Sequence, residues 1–336
     1  MLPKVIFGTS SLGNLYEEPS YDTKKAIVGE IVRQSGAQAM FDSAGKYGAG
    51  LALESLGGCL ADLGVEPGQV SISNKLGWKR VPLTTDEPTF EVGVWKNIQY
   101  DAVQDISYQG ILDCFEQGNQ LLGNYCADIV SVHDPDEFLD GARDATEHAR
   151  RLEQLLEAYR ALAELKQKGI VSSIGIGAKD ITSIDLISDH VQLDWAMFAN
   201  SITPYTHADN ALSLLDKLQQ QGVAVINSAV FNAGFLVGGE FFNYQKISPE
   251  SHPEAFAWRD RFYAICDNFD IEPALACVQF SFLFNNIASV ALNTSSAKRI
   301  STNIALATTE VPAGFWQAML AERLINPRLA SLIKQK

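Results

Sequence analysis

Ile129-Val130-Ser131-Val132-His133, then Arg151–Lys168 closed by Gly169, then Ser173-Ile174-Gly175-Ile176-Gly177, is the stretch on which the fold turns. The two outer runs are short and largely apolar, as expected for parallel strands covered on both faces. The segment between them has helical period. Leu152, Leu155, Leu156, Tyr159, Leu162 and Leu165 form one apolar face, with Glu, Arg and Lys opposite. Gly169, which lacks a Cβ, ends it. The unit reads as strand, helix, strand.

The same alternation extends in both directions. Strands are expected at Lys4–Phe7, Ala39–Asp42, Ser71–Lys75, Gln192–Phe198, Ala224–Ser228 and Ala288–Leu292, besides the two above. Helices are expected at Asp22–Ser35, Gly50–Leu63, Ser107–Leu122, Asn210–Gln221 and Ser296–Thr308, besides Arg151–Lys168. Eight strands with intervening helices point to an α/β chain folded as a (β/α)8 TIM barrel rather than an open sheet. A length of 336 residues fits one such barrel with insertions. No internal repeat, low-complexity tract or linker divides the chain, so residues 1–336 are read as a single domain. Two segments exceed a plain connection: Leu76–Ile106 after the third strand, and Phe231–Pro253 after the seventh. Long loops in a compact domain are usually functional.

Composition narrows the function classes. The chain is 46% hydrophobic and 20% charged, so a sizeable core is expected. A net charge of −14 argues against nucleic acid and against an anionic membrane surface, both of which need clustered cations. It leaves room for a phosphorylated cofactor, which needs only a local positive site. Met1-Leu2-Pro3-Lys4 runs into Val5-Ile6-Phe7 without a charged n-region or a long apolar h-region, so a cytoplasmic location is expected. Cys59, Cys114, Cys126, Cys266 and Cys277 form no CxxC pair, so no metal site and no disulfide framework is expected.

In a barrel of this kind the chemistry sits at the C-terminal ends of the strands. The second run ends in Asp42, with Tyr47 following in Ser43-Ala44-Gly45-Lys46-Tyr47-Gly48-Ala49-Gly50. The third ends in Lys75 and the fourth in His133. Three adjacent strands thus deliver a carboxylate, a phenol, an ammonium and an imidazole to one rim. A phenol ordinarily ionises near pH 10, too high for a base at neutrality. A neighbouring ammonium favours the phenolate, so a lowered Tyr47 is expected. The carboxylate holds the lysine charged and in place, and the histidine orients a substrate oxygen. Such a group serves C–OH/C=O interconversion, with hydride passing to or from a cofactor.

These motifs resemble the aldo-keto reductase superfamily over almost the whole chain. Phe41 to Gly50 resembles its "FDTAxxYGxG" segment, Asn74-Lys75-Leu76-Gly77 its lysine strand, and Val132-His133-Asp134-Pro135-Asp136 its histidine strand. The resemblance implies catalytic roles for Asp42, Tyr47, Lys75 and His133. Val230 to Leu236 and Phe242-Asn243-Tyr244 resemble the subgroup of sugar dehydrogenases that oxidise L-fucose, L-galactose or D-threo-aldoses at C1 to lactones with NAD or NADP. Alternatives are an NADPH-dependent aldehyde or ketone reductase, pyridoxal-type substrates included, and a cofactor-binding regulatory barrel with little turnover.

For the cofactor, the resemblance implies Gly8, Thr9, Asp42, Asn227 and Ser228 near the nicotinamide. Asn227 stands where a tyrosine is usual. The adenosine-phosphate segment is matched by Ser295, Arg299 and Asn303; Asn293 replaces a lysine often used for the 2′-phosphate. Lys179 stands where many members place an asparagine that binds the carboxamide. For a small-molecule sugar or aldehyde, Tyr47, His133, Trp78 and Asn232 are the expected contacts. The two long loops, with Trp95, Asn97, Tyr100 and Asp101 in the first and Phe241, Phe242, Asn243 and Tyr244 in the second, are expected to form the substrate surface.

Overall fold

The computed structural model describes residues 2–243 and 245–334. Eight parallel strands close into a barrel in sequence order: β1 Val5–Gly8, β2 Met40–Ala44, β3 Ser71–Leu76, β4 Ile129–His133, β5 Ser173–Ala178, β6 Trp195–Ala199, β7 Ala224–Ser228 and β8 Ile287–Asn293. β8 pairs back onto β1, with Gly8 opposite Asn293, and Gly8 also faces Asp42 of β2. Expected and observed strands agree to within a few residues. Helices cover the outside, and two alternating sets of inward and outward side chains make two cores.

The inward set begins with Ile6, Met40, Ile129, Trp195, Met197 and Ile226, a buried layer that floors the barrel. Above it the inward positions turn polar: Asp42, Lys75 and His133 stand near the strand ends. The outward set, among them Phe41, Val130, Ile174, Phe198 and Val225, packs against the helices in one extended core.

The helix after β4 runs Ala145–Gln167, starting well before its expected first residue. Asp144 caps it, its carboxylate accepting the Glu147 N–H at 2.8 Å. Pro135–Asp140, Ile181–Ser188, Pro253–Asn268, Pro273–Ser281 and Ala313–Ala321 are helices that apolar periodicity alone left unassigned. Among the described residues, no helix is long and apolar enough to cross a membrane.

The long segment after β3 is not structureless. Trp78–Pro82 and Tyr100–Gln104 pair as an antiparallel hairpin, and the chain between them folds back over the mouth of the barrel. There the Tyr16 N–H donates to the Val94 carbonyl at 2.9 Å, and the Lys96 N–H to the Asn14 carbonyl at 2.9 Å. The segment after β7 forms a short turn of helix, Phe235–Val237, and two two-residue strands, Phe241–Phe242 and Gln245–Lys246. Tyr244 lies outside the described residues.

Candidate active site

Five strand ends, β3 to β7, and the loop after β2 converge on a cavity of about 370 Å³ at the C-terminal mouth of the barrel. Its lining includes Tyr47, Lys75, His133, Met197 and Ser228, with Trp95 on the side of the folded-back loop. Tyr47 enters because the loop Gly45–Gly50 packs tightly on the β1 loop. Gly48 has φ +60°, and a Cβ there would meet the Gly13 carbonyl oxygen at 2.3 Å. Only glycine fits that approach.

The structure brings Asp42, Tyr47, Lys75 and His133 together. Asp42 and Lys75 form a buried ion pair, and Ser73 Oγ donates to the second carboxylate oxygen at 3.2 Å. Lys75 Nζ also donates to the Ser43 carbonyl at 3.3 Å and lies 4.8 Å from the centre of the Tyr47 ring. The Tyr47 and His133 rings meet edge to face at 5.6 Å.

Electrostatics correct one expectation and refine another. Burial pushes the Tyr47 phenol up, and the Lys75 ammonium pulls it back only in part, so it lies above its ordinary range. Desolvation therefore outweighs the neighbouring cation. Burial also works against the Lys75 ammonium, but Asp42 and Tyr47 more than compensate and keep it charged. The His133 imidazole is pushed down to about 3, first by burial, with Lys75, Lys46 and Lys179 adding to it against Asp134. It is neutral at physiological pH. Its Nδ1 is buried without a hydrogen-bond partner among the described residues.

Beside this group is a second charged cluster that reading the strand ends did not reveal. Lys46, only 2% exposed, lies next to Tyr47 in sequence. Its ammonium donates to Asp134 Oδ2 at 3.1 Å and Glu137 Oε2 at 2.8 Å, and lies 3.1 Å from Glu91 Oε1. Lys179 pairs with Glu137 at 2.6 Å and Asp134 at 3.6 Å. Burial works against the Asp134 carboxylate, yet with the Lys46 and Lys179 ammonium groups beside it the carboxylate is held well below its usual range. Lys46, Glu91, Asp134 and Lys179 all line the cavity. The readable signal was Lys46, a cation fixed one residue before a cavity tyrosine.

Several expected contacts fall elsewhere. Asn227 is fully buried on the outward face of β7, where its amide donates to the Ile202 carbonyl and Ser281 Oγ. Strand alternation puts its neighbour Ser228 at the cavity instead. Asn232 is also fully buried; its amide joins Thr203, Thr206 and Asn243 and ties two loops together. Trp78 stands behind the cavity wall, its ring 4.8 Å from Lys46 Nζ, and Trp95 takes the lining position. Thr9 is buried, and its hydroxyl donates to the Asp42 carbonyl and Ser43 Oγ, so it steadies β2 rather than facing the cavity. Gly8 sits between Asp42 and Asn293 at the strand ends. In the loop after β7, Phe242 packs on Tyr205 and Phe235, and none of its described residues reaches the cavity.

A groove of about 380 Å³ adjoins the cavity and shares Leu15 and Tyr16 with it. Its other walls include Ser11, Asn293, Ser295 and Arg299. Arg299 is exposed at the start of the helix Ile300–Thr308, and no carboxylate pairs with it among the described residues. Asn303, half-buried one turn along that helix, does not line the groove. Cavity and groove thus adjoin across Leu15 and Tyr16, with Tyr47, Lys75 and His133 in the one and the Arg299 guanidinium, unpaired among the described residues, in the other.

Comparison with known proteins agrees with this geometry. A sequence profile described as the aldo/keto reductase family matches residues 4–321. Pyridoxal 4-dehydrogenase of Microbacterium luteolum is 27% identical, over 95% of this chain and 93% of its own. D-threo-aldose 1-dehydrogenase of a Pseudomonas species is 26% identical, over 96% and 95%. L-galactose dehydrogenase of Arabidopsis thaliana is 25% identical, over 94% and 88%. Among solved structures, an aldo-keto reductase from Bacillus halodurans in its holo form superposes with a TM-score of 0.69 at 18% identity, over 96% of this chain and 92% of that one. The likeness to that structure concerns the barrel.

Proposed function

This chain belongs to the aldo/keto reductase family, and we propose that it oxidises the C1 hydroxyl of an aldose of the L-fucose or L-galactose type to a lactone. Members of this family are oxidoreductases that use NAD(P)H. The convergence of Tyr47, Lys75 and His133 on one cavity, with Asp42 paired to Lys75 behind it, carries the reading. Two relatives named for aldose or galactose oxidation support the substrate class. A nicotinamide nucleotide bound across the cavity and the groove would supply the hydride acceptor.

The residues around it do the rest. His133, neutral and with a free ring nitrogen, hydrogen-bonds the anomeric oxygen and orients it. Tyr47, as phenolate, takes the hydroxyl proton. Lys75 stabilises that phenolate, and Asp42 fixes Lys75. Trp95 offers a flat apolar wall for the C–H face of a sugar. Ser228 and Ser10, which line the cavity, suit the nicotinamide end, and Ser295 and Arg299 suit a 2′-phosphate or adenosine. With Asn293 in place of a second cation, both NADP and NAD are expected to support turnover.

Steady-state rates over aldoses and aldehydes, with oxidised and reduced forms of both cofactors, test the proposal. Aldose oxidation, with acid released on lactone hydrolysis matching cofactor reduced, is the expected result. Robust reduction of aromatic aldehydes without oxidation of any aldose would decide for the reductase. Arg299→Ala should weaken NADP use by roughly 10- to 100-fold against NAD, the size of one charge-assisted hydrogen bond. An unchanged ratio removes Arg299 from the phosphate site.

A further inference from the structure

The carboxylate of Asp134 is buried at the cavity wall, yet it is only partly satisfied. Lys46 and Lys179 both approach Oδ2, and no hydrogen bond among the described residues ends on Oδ1. Asp134 takes the left-handed conformation, φ +47°, and its N–H donates to the Gly177 carbonyl at 2.9 Å, which fixes the turn. This strained placement sets Oδ2 3.6 Å from His133 Nε2, too far for a hydrogen bond. His133 is 5% exposed, lines the same cavity, and has no hydrogen bond at either ring nitrogen among the described residues. Two buried polar side chains thus point into one space with unmet hydrogen-bonding capacity, and such groups call for a partner.

The partner's chemistry follows from the charges. Lys46 donates to Asp134 and Glu137 and forms an ion pair with Glu91, and Lys179 is paired with Glu137 and Asp134. Two ammonium groups face three carboxylates, so the cluster is negative and its cations are committed. What remains on offer is a carboxylate acceptor, which only a donor can satisfy. A substrate oxygen within hydrogen-bond reach of His133 Nε2 lies beside that carboxylate, one neighbouring hydroxyl away.

We propose that Asp134 determines specificity, accepting a hydrogen bond from the hydroxyl on the carbon next to the reacting one and excluding substrates with an anionic group there. The proposal rests on the oxidoreductase reading and narrows it to neutral substrates with adjacent oxygens.

The test compares kcat/KM for an aldose and its 2-deoxy analogue. The native enzyme should prefer the aldose by roughly 10- to 100-fold, the range of a hydrogen bond to a charged group. In Asp134→Asn the preference should fall to about threefold or less, mainly through loss on the aldose. The aldose 2-phosphate, which carries its charge on that neighbouring carbon, should be a poorer substrate of the native enzyme by about 100-fold or more, because like charges are then juxtaposed. An Asn variant that keeps the full preference overturns the proposal. So does a native enzyme indifferent to both changes, a measurement that needs no variant to fold. If aldoses are inert but aldehydes are reduced, C1 oxidation fails by itself; glyceraldehyde against 3-hydroxypropanal then tests Asp134 in the same way. Absence of turnover in both directions overturns both readings.

Discussion

At Tyr47 two forces oppose each other, and their order decides how the site responds to pH. A phenol beside an ammonium is expected to acidify, yet the same residues are buried, and burial penalises the phenolate more than Lys75 rewards it. Oxidation, which needs the phenolate, should therefore accelerate with rising pH well into the alkaline range. Reduction, which needs the protonated phenol, should persist at neutral pH. Tyr47→Phe should lower kcat by at least ~10²-fold and abolish the alkaline rise. Lys75→Met should raise the phenol further and depress oxidation across the range. His133 is neutral down to about 3, so no loss of activity near its ordinary value of about 6.5 is expected. Initial rates between about pH 5.5 and 10.5 check all three. An acid limb near pH 6.5 that disappears in His133→Gln would contradict the neutral ring. Asp42, Lys75 and His133 were legible because each ends an expected strand run on neighbouring strands, and Tyr47 because it follows the first of them in the loop. The sign of the Tyr47 shift was not, since desolvation depends on packing that no local motif encodes. The misplacement of Asn227 is simpler: it is one step out of phase with the inward face, and a one-residue error in strand parity reverses a side chain.

At the scale of elements, β5 shows how a sequence makes room for a site. Ile174-Gly175-Ile176-Gly177 alternates apolar outward residues with glycines that face the barrel. A Cβ on Gly175 would stand 2.3 Å from the Trp195 ring and 2.6 Å from its carbonyl, neither of which can yield cheaply. A Cβ on Gly177 would lie 3.1 Å from Lys75 Cδ, part of a flexible stem. The two glycines therefore serve different ends. Gly175→Ala should destabilise the barrel floor by about 1–3 kcal/mol, as overpacking does, with little effect on the chemistry of the folded fraction. Gly177→Ala should cost less stability but displace Lys75 from Tyr47, so kcat falls while the urea midpoint hardly moves. Paired urea titrations and kinetics distinguish them; equal effects in both variants would refute the division of labour. The alternation of strands and helices was readable because inward and outward faces are both buried. The loops were harder. Both long segments carry aromatics, but among the described residues only the one after β3 is anchored over the mouth, by main-chain bonds to residues 14 and 16 that leave no trace in composition. In the one after β7, Phe242 packs on Tyr205 and Phe235 instead, and Phe241 is exposed.

Over the whole molecule, the C-terminal segment is held by a histidine that must stay neutral. His207 Nδ1 lies 2.8 Å from the Thr203 carbonyl, which can only accept, and Nε2 lies 2.8 Å from the Asn326 N–H, which can only donate. The tautomer is thereby set, with the proton on Nδ1 and a lone pair on Nε2. Asn326 Nδ2 adds a bond to Asp209 Oδ1 at 2.9 Å, and Arg328 pairs with Asp216 at 3.2 Å. Beyond them Leu329 and Ile333 enter the core. Burial pushes the His207 ring down to about 4, against the opposing pull of the Thr203 bond and Asp209. Protonating Nε2 would break the Asn326 bond and leave a buried cation, so the unfolded chain binds this proton at a higher pH than the folded one. Stability is then unaffected by this ring above about pH 6.5 and lost progressively as pH falls toward the folded value. At about 1.4 kcal/mol per pH unit below about 6.5, the loss by about pH 5 is on the order of 2 kcal/mol. His133 adds to the loss in the same direction. Urea midpoints at about pH 7.5 and pH 5 should differ accordingly, and amide exchange should rise first around residues 324–333. His207→Gln should be less stable at pH 7.5 but show a shallower decline with acid. If the variant declines as steeply as the native protein, the C-terminal latch does not titrate at His207, and the acid sensitivity belongs to the barrel mouth instead.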